Sequence, residues 1–280
     1  MTRVRATWVV LAVLASHATL AGETCRYTGT ASHAGRIEVE SSAATSKGET
    51  TVDVTARVSA RSFGLIEWRY LYQEIGTWRR GELRSVAVNH RYSVAGRIQR
   101  QQWDVFNRTA EGMIAFRVQA KTLPDFQAHH PGFVRHWEPA SFGQPWLPDY
   151  PAAAAQRRAD LDLPRAAMAP DLGVPLALAF HWVRWAGQES RKVPVFLPGF
   201  KRNARVDVPV AFLGVDGAGS IHLRSTTRHP QLSETEPSVG DAWVTADHRL
   251  MRVTFDARGT YGNAQGELRL EGCRGDPSAP

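Results

Sequence analysis

The chain has 280 residues, 43% of them hydrophobic and 22% charged, which is too apolar for an intrinsically disordered chain and long enough for one large all-β domain or two small ones. Lys+Arg 34 against Asp+Glu 27 gives a net charge of +7, carried almost wholly by arginine and spread along the chain. No basic stripe with interleaved aromatics and no known nucleic-acid module is present, so a nucleic-acid partner is not expected.

The first segment reads as a signal peptide rather than as part of the fold. Arg3 and Arg5 precede the apolar run WVVLAVL, and Thr19 and Ala21 stand at −3 and −1 of a cut before Gly22. That run is too short to span a bilayer, which needs about 20 apolar residues, and no later segment suits a transmembrane span. Glu23 and Thr24 precede Cys25, so the small-residue box of a lipidated cysteine is missing. Removing residues 1–21 takes away two arginines and no acid, leaving +5. The expected product is a single exported domain over residues 22–280. In an oxidising compartment, Cys25 and Cys273 at its two ends read as a structural disulfide joining terminal strands. Closing so long a loop stabilises by roughly 4–5 kcal/mol in the chain-entropy model. Neither cysteine has a His or acid motif around it, so no metal site is expected there.

Period-two alternation then predicts strands. In 50–60, Val52, Val54, Ala56 and Val58 share one face, and Asp53, Thr55, Arg57 and Ser59 the other. Residues 35–42 behave likewise, as do 112–122 with Ile114, Phe116 and Val118. Over 63–74 the rule places Trp68, Tyr70 and Tyr72 together. Later strands are expected at 204–213, 219–225, 250–257 and 264–271, with a hairpin at Val215-Asp216-Gly217 and Gly219. Trp78–Leu83 and Trp243–Leu250 each read as strand, polar turn, strand.

Residues 123–175 interrupt this pattern with 9 of the 16 prolines. Proline removes ladder donors, so continuous sheet is not expected there. The first part carries Phe126, Phe133, Trp137, Phe142, Trp146 and Tyr150, and AAAAQRRADL has the composition of a short helix. VPLALAFHWVRW at 174–185 fits a buried helix or a buried strand equally by periodicity.

The run FGLIEWRYLYQEIGTWRRGELRSVAVNHRY resembles a bacterial exported family of unknown function, with Glu74, Trp78, Gly81, Leu83 and Asn89 at the matching positions. AWVTADHRLMRVTF is similar to the closing hairpin of that family and of related periplasmic curved-sheet proteins. Asp171, Pro175 and LALAFHWVRW resemble the stretch before the last sheet section of the related family, where a helix stands. The resemblance implies an all-β fold: a curved antiparallel sheet or half-barrel with one helix. It implies no catalytic residues. With the signal peptide, the expected location is the periplasm of a Gram-negative bacterium. The aromatic, proline-rich insertion departs from the family pattern.

Candidate chemistry concentrates around that insertion. His129, His130 and His136, with Asp125 and Glu138, are potential ligands, but their spacing matches no metal motif, and no metal or cofactor is expected. Glycoside hydrolysis needs two carboxylates about 5–10 Å apart, with aromatics to stack on sugars. Asp125, Glu138 and Asp149 flank the insertion, and Glu67 and Glu74 sit on the tryptophan-rich hairpin region. Glu138 and Asp149, with His136, are the catalytic candidates, and a strand carboxylate facing solvent is the ordinary reading of such residues. No Gly-x-Ser-x-Gly elbow, reactive cysteine pattern or phosphate loop is present. The sequence leaves catalysis undecided. The expected function is a periplasmic binding protein holding a lipid-like or glycan ligand in a concave sheet. Trp68, Tyr70, Tyr72, Trp137, Trp146 and Tyr150 would line the groove, with Arg135 and Arg69 at its mouth. Alternatives are a polysaccharide- or peptidoglycan-active enzyme and a protein-interaction scaffold.

Overall fold

A computed structural model describes residues 23–32, 35–62, 66–108, 112–120, 163–164, 168, 172–176, 179, 189–197, 205–228, 236–246, 249–257 and 264–275. The alternating segments form one antiparallel sheet. Its first half comprises β1 (Glu23–Ala31), β2 (Gly35–Ser46), β3 (Glu49–Ser62), β4 (Ile66–Arg79), β5 (Glu82–Val94), β6 (Arg97–Arg108), β7 (Gly112–Ala120) and the short β8 (Leu163–Pro164). The second half comprises β9 (Arg191–Phe196), β10 (Arg205–Val215), β11 (Ile221–Thr227), β12 (Ser238–Val244), β13 (Leu250–Ala257) and β14 (Ala264–Gly275). The spatial order is β8-β7-β6-β5-β4-β3-β2-β1-β14-β13-β12-β11-β10-β9, so two meanders meet where the terminal strands pair.

Turn chemistry sets the hairpins. Lys47-Gly48, Arg80-Gly81 and Ala95-Gly96 each place two successive residues at positive φ, the conformation whose twist matches that of the flanking strands. The expected turn after Val215 forms around Asp216, whose Oδ1 accepts from the amides of Ala218 and Ser220, both at 2.9 Å. At the seam between the halves, Cys25 lies opposite Cys273 in register and is disulfide-bonded to it, as the sequence predicts.

The sheet curls. Phe106 on β6 and Phe196 on β9 come from near opposite edges, yet their rings meet edge to face with centroids 4.9 Å apart. A short segment ties the same regions together. Trp78 on β4 donates its Nε1–H to the carbonyl of Leu172 at 3.1 Å. Gly173 exchanges hydrogen bonds with β9, to Pro194 O at 3.0 Å and from Phe196 N at 2.8 Å. Leu172 and Val174 are fully buried, so this strap lies inside the curl. β9 is buried continuously from Val193 to Leu197 and is therefore enclosed on both faces. Among the described residues no ladder joins β8 to β9, so the architecture is a curved, unclosed all-β sheet.

Of the helix expected over 174–185, Pro175, Leu176 and Ala179 are helical and the remainder lies outside the described residues, as does the helix expected near residue 152. Pro175 suits a first helical position, where its missing N–H costs nothing. No helix among the described residues is long and apolar enough to cross a membrane.

Candidate functional site

The inner face, which carries Trp78 and Phe106, is aliphatic over most of its breadth. Cross-strand rows on β3, β4 and β5 read Val58–Tyr70–Tyr92, Ala56–Tyr72–His90, Val54–Glu74–Val88 and Val52–Gly76–Val86. In these rows small β3 side chains stand beside large β4 ones. Gly76 instead leaves room for Trp78, since a Cβ there would stand 2.3 Å from the indole.

Along β4 the exposure of this face rises steadily. Trp78 and Glu74 are buried, Tyr72 is 8% exposed, Tyr70 and Trp68 are half-buried, and Ile66 at the strand's start is 50% exposed. An aromatic strip thus runs from the core to the rim, with polar atoms in its middle. The Tyr70 hydroxyl and His90 Nδ1 are hydrogen-bonded at 2.6 Å, the donor being set by the imidazole tautomer. Tyr72 donates to Glu74 Oε2 at 2.9 Å, and its ring meets His90 edge to face at 4.8 Å. In the same row as Tyr72, across β2 and β3, lies Tyr27 on β1. Burial, then the nearby Glu23 carboxylate, pushes the Tyr27 phenol well above its ordinary range, against the opposing effects of Arg249 and the neighbouring Ser41 hydroxyl. Arg249 reaches from the β12–β13 turn to Glu23 at 3.0 Å. Glu23 also lies near the two cysteine sulfurs, but a disulfide offers a metal no thiolate.

The outer face is not simply solvated. Asn89 donates to Gln73 Oε1 at 2.9 Å, and Gln73 donates to Thr55 Oγ1 at 3.2 Å, in a buried row across β5, β4 and β3. Next to it, Asp53 keeps an enclosed Oδ1 that accepts no hydrogen bond. Burial and then Glu40 raise its carboxyl to about 7, with Arg57 opposing. On the second half, Trp243 stacks on His222 at 4.5 Å and lies under the Arg252 guanidinium at 4.5 Å, while Asp241 binds both His222 and Arg224.

Trp68, Tyr70 and Tyr72 share the inner face, in keeping with their alternation. Two expectations are corrected. Glu74 does not face solvent; its parity with Tyr72 puts it on the apolar face, wholly buried. Arg69 is not at the mouth of that face either: it stands on the opposite side from Tyr70, exposed, and pairs with Glu67 at 2.9 Å. Arg135, Trp137, Trp146 and Tyr150, together with Asp125, His129, His130, His136, Glu138 and Asp149, lie outside the described residues. His90 is the inner-face residue that the sequence reading missed. The alternation of Val86, Val88 and His90 was the available signal.

No family model matches the chain, and no curated protein does. Among solved structures it is similar to a beta-barrel-like protein of a domain of unknown function, DUF1849, from Brucella abortus. That likeness has 9% identity and a TM-score of 0.51, covering 93% of this chain and 100% of the other. It shows a common fold. A "putative lipoprotein" from Parabacteroides distasonis aligns over 91% of this chain and 95% of its own, at 9% identity and a TM-score of 0.23, a likeness too slight to bear on the fold.

Proposed function

We propose that the chain is an exported binding protein of the bacterial envelope that holds an amphipathic, lipid-like molecule against the concave face. The observation that carries this reading is the graded strip on β4. Apolar surface runs from the buried core to a half-open aromatic rim, and Tyr70, Tyr72 and His90 supply polar atoms partway along it. Ligand sites are mostly apolar concavities with a few placed polar groups, which is the chemistry of a chain with a headgroup. The disulfide supports an oxidising compartment, for which the periplasm of a Gram-negative bacterium is the proposed location. A glycan stacked on Trp68 and Tyr70 is the second ligand class, favoured by their half-exposed rings.

Native mass spectrometry of protein purified from a periplasm tests this. The expected result is a non-covalent adduct lost on denaturation, whose mass separates lipid from glycan. Trp68→Ala with Tyr70→Ala should deplete it while the fold persists by circular dichroism. A bare native mass, unchanged after incubation with lysophospholipid and with envelope oligosaccharides, would refute the binding function.

A further inference from the structure

The outer face of β3–β5 holds a feature that ligand binding on the inner face does not use. Arg57, Leu71 and Arg91 stand in one cross-strand row. Two strand spacings, about 9–10 Å, separate the arginine backbones, so both long side chains can reach one point above Leu71. Both arginines are exposed. Burial of part of its surface, and then the Arg57 charge, lower the Arg91 guanidinium from its ordinary value, so the two cations repel.

Neither has a carboxylate at ion-pairing distance among the described residues. Glu38, opposite Arg57 on β2, instead pairs with Arg36 at 2.8 Å and Arg26 at 3.8 Å. Asp53 feels Arg57 without bonding to it. Some arginines elsewhere on this surface are neutralised: Arg224 takes both oxygens of Asp241, and Arg252 and Arg269 share Glu267. In the neighbouring row on the same face, the buried Thr55–Gln73–Asn89 chain ties together the strands that carry the pair.

We infer that Arg57 and Arg91 form an oxyanion site that takes a phosphate group, either inorganic phosphate or the phosphate of an anionic phospholipid headgroup. A carboxylate can be shared by two guanidinium groups, as Glu267 is, but it brings one charge to two; a phosphate brings more oxygens and up to two charges, enough to meet both forks. Its negative charge removes the repulsion that the unliganded pair carries.

The test compares the wild-type chain with Arg57→Gln and Arg91→Gln. Binding of inorganic phosphate is followed by calorimetry, and binding of phosphatidylglycerol vesicles by flotation against phosphatidylcholine vesicles. Each substitution should weaken the interaction by about tenfold or more, the loss of a bidentate charge-assisted contact. Phosphate should raise the wild-type Tm more than chloride does at equal ionic strength, and either variant should lose that increment. Without phosphate, Arg91→Gln should unfold no earlier than wild type, because it removes a like charge. Phosphate binding alone assigns a soluble ligand, and vesicle binding alone assigns a headgroup. Binding of neither by wild type overturns the site, as do variants that match wild type or an equal loss in the control Arg36→Gln. Tyr70→Ala should leave phosphate binding intact, so this site and the inner-face function fail separately.

Discussion

Asp53 offers the sharpest check on how the outer face is built. It stands on β3 between Ser42 and Ile75 in register, half-buried as a residue but with Oδ1 fully enclosed and without a hydrogen bond. Burial, with Glu40 adding to it and Arg57 opposing, lifts its carboxyl from 3.8 to about 7. In the unfolded chain the same group ionises at its ordinary value. Between those two values the folded protein therefore binds more protons than the unfolded one, and stability falls as pH rises. The contribution is complete below the unfolded value, is lost progressively up to the folded value, and then levels off. The gap corresponds to about 4 kcal/mol once both states are ionised. Asp53→Asn keeps the shape and removes the charge. It should stabilise the protein by about 4 kcal/mol near pH 8 and by less than about 1 kcal/mol near pH 4. Urea unfolding at the two pH values, with both slopes fitted, reads the difference directly. A gain of the same size at both pH values, or none at the higher one, would refute the claim that an ionised Asp53 is enclosed at a cost.

Three further outcomes follow from the seam and the strap. Cys25→Ser with Cys273→Ser opens a link across a sequence separation of 248. The chain-entropy model gives a loss of about 5 kcal/mol, seen as a urea midpoint lowered by about 2 M for a chain of this size. Gly29→Ala would place a Cβ 1.7 Å from the Glu267 carbonyl oxygen, a backbone atom that cannot swing aside. It should cost more than about 3 kcal/mol, measured as Tm and as loss of near-ultraviolet dichroism. Trp78→Phe deprives the buried Leu172 carbonyl of its indole donor and should cost about 1–3 kcal/mol. Faster hydrogen exchange at the Gly173 and Phe196 amides should accompany it, while the β2–β3 amides stay protected.

Much of the first half was legible because its strands alternate strictly. Val52 through Val58 and Trp68 through Tyr72 occupy the faces that period two assigns them. The same rule already placed Glu74 beside Tyr72, and only the general habit of carboxylates facing water pointed the other way. β9 was hidden for a different reason. Val-Pro-Val-Phe-Leu is buried on both faces, so it has no alternation to read. The buried Thr55–Gln73–Asn89 row was invisible as well, because alternation separates two faces without telling whether the polar one is covered. Arg57 and Arg91 lie far apart in sequence, and their proximity depends on the registers of two hairpins together.

The inner face depends on a register that no hairpin can impose. β2–β3, β4–β5 and β5–β6 are each fixed by a two-residue turn, whereas β1 and β14 meet from opposite ends of the chain. A one-residue slip there would turn Tyr27 outward and carry its neighbours with it. Three contacts oppose that slip. Cys25 and Cys273 are bonded only when they lie opposite each other. Gly29 fits under the Glu267 carbonyl, where any side chain would collide. Glu23 meets Arg249 from the neighbouring meander. The covalent contact and the glycine constrain the same ladder at points four residues apart, so loss of the disulfide alone should loosen the seam without changing which residues face inward. A reduced protein that kept its near-ultraviolet dichroism but unfolded at lower urea would be the signature of that division of labour.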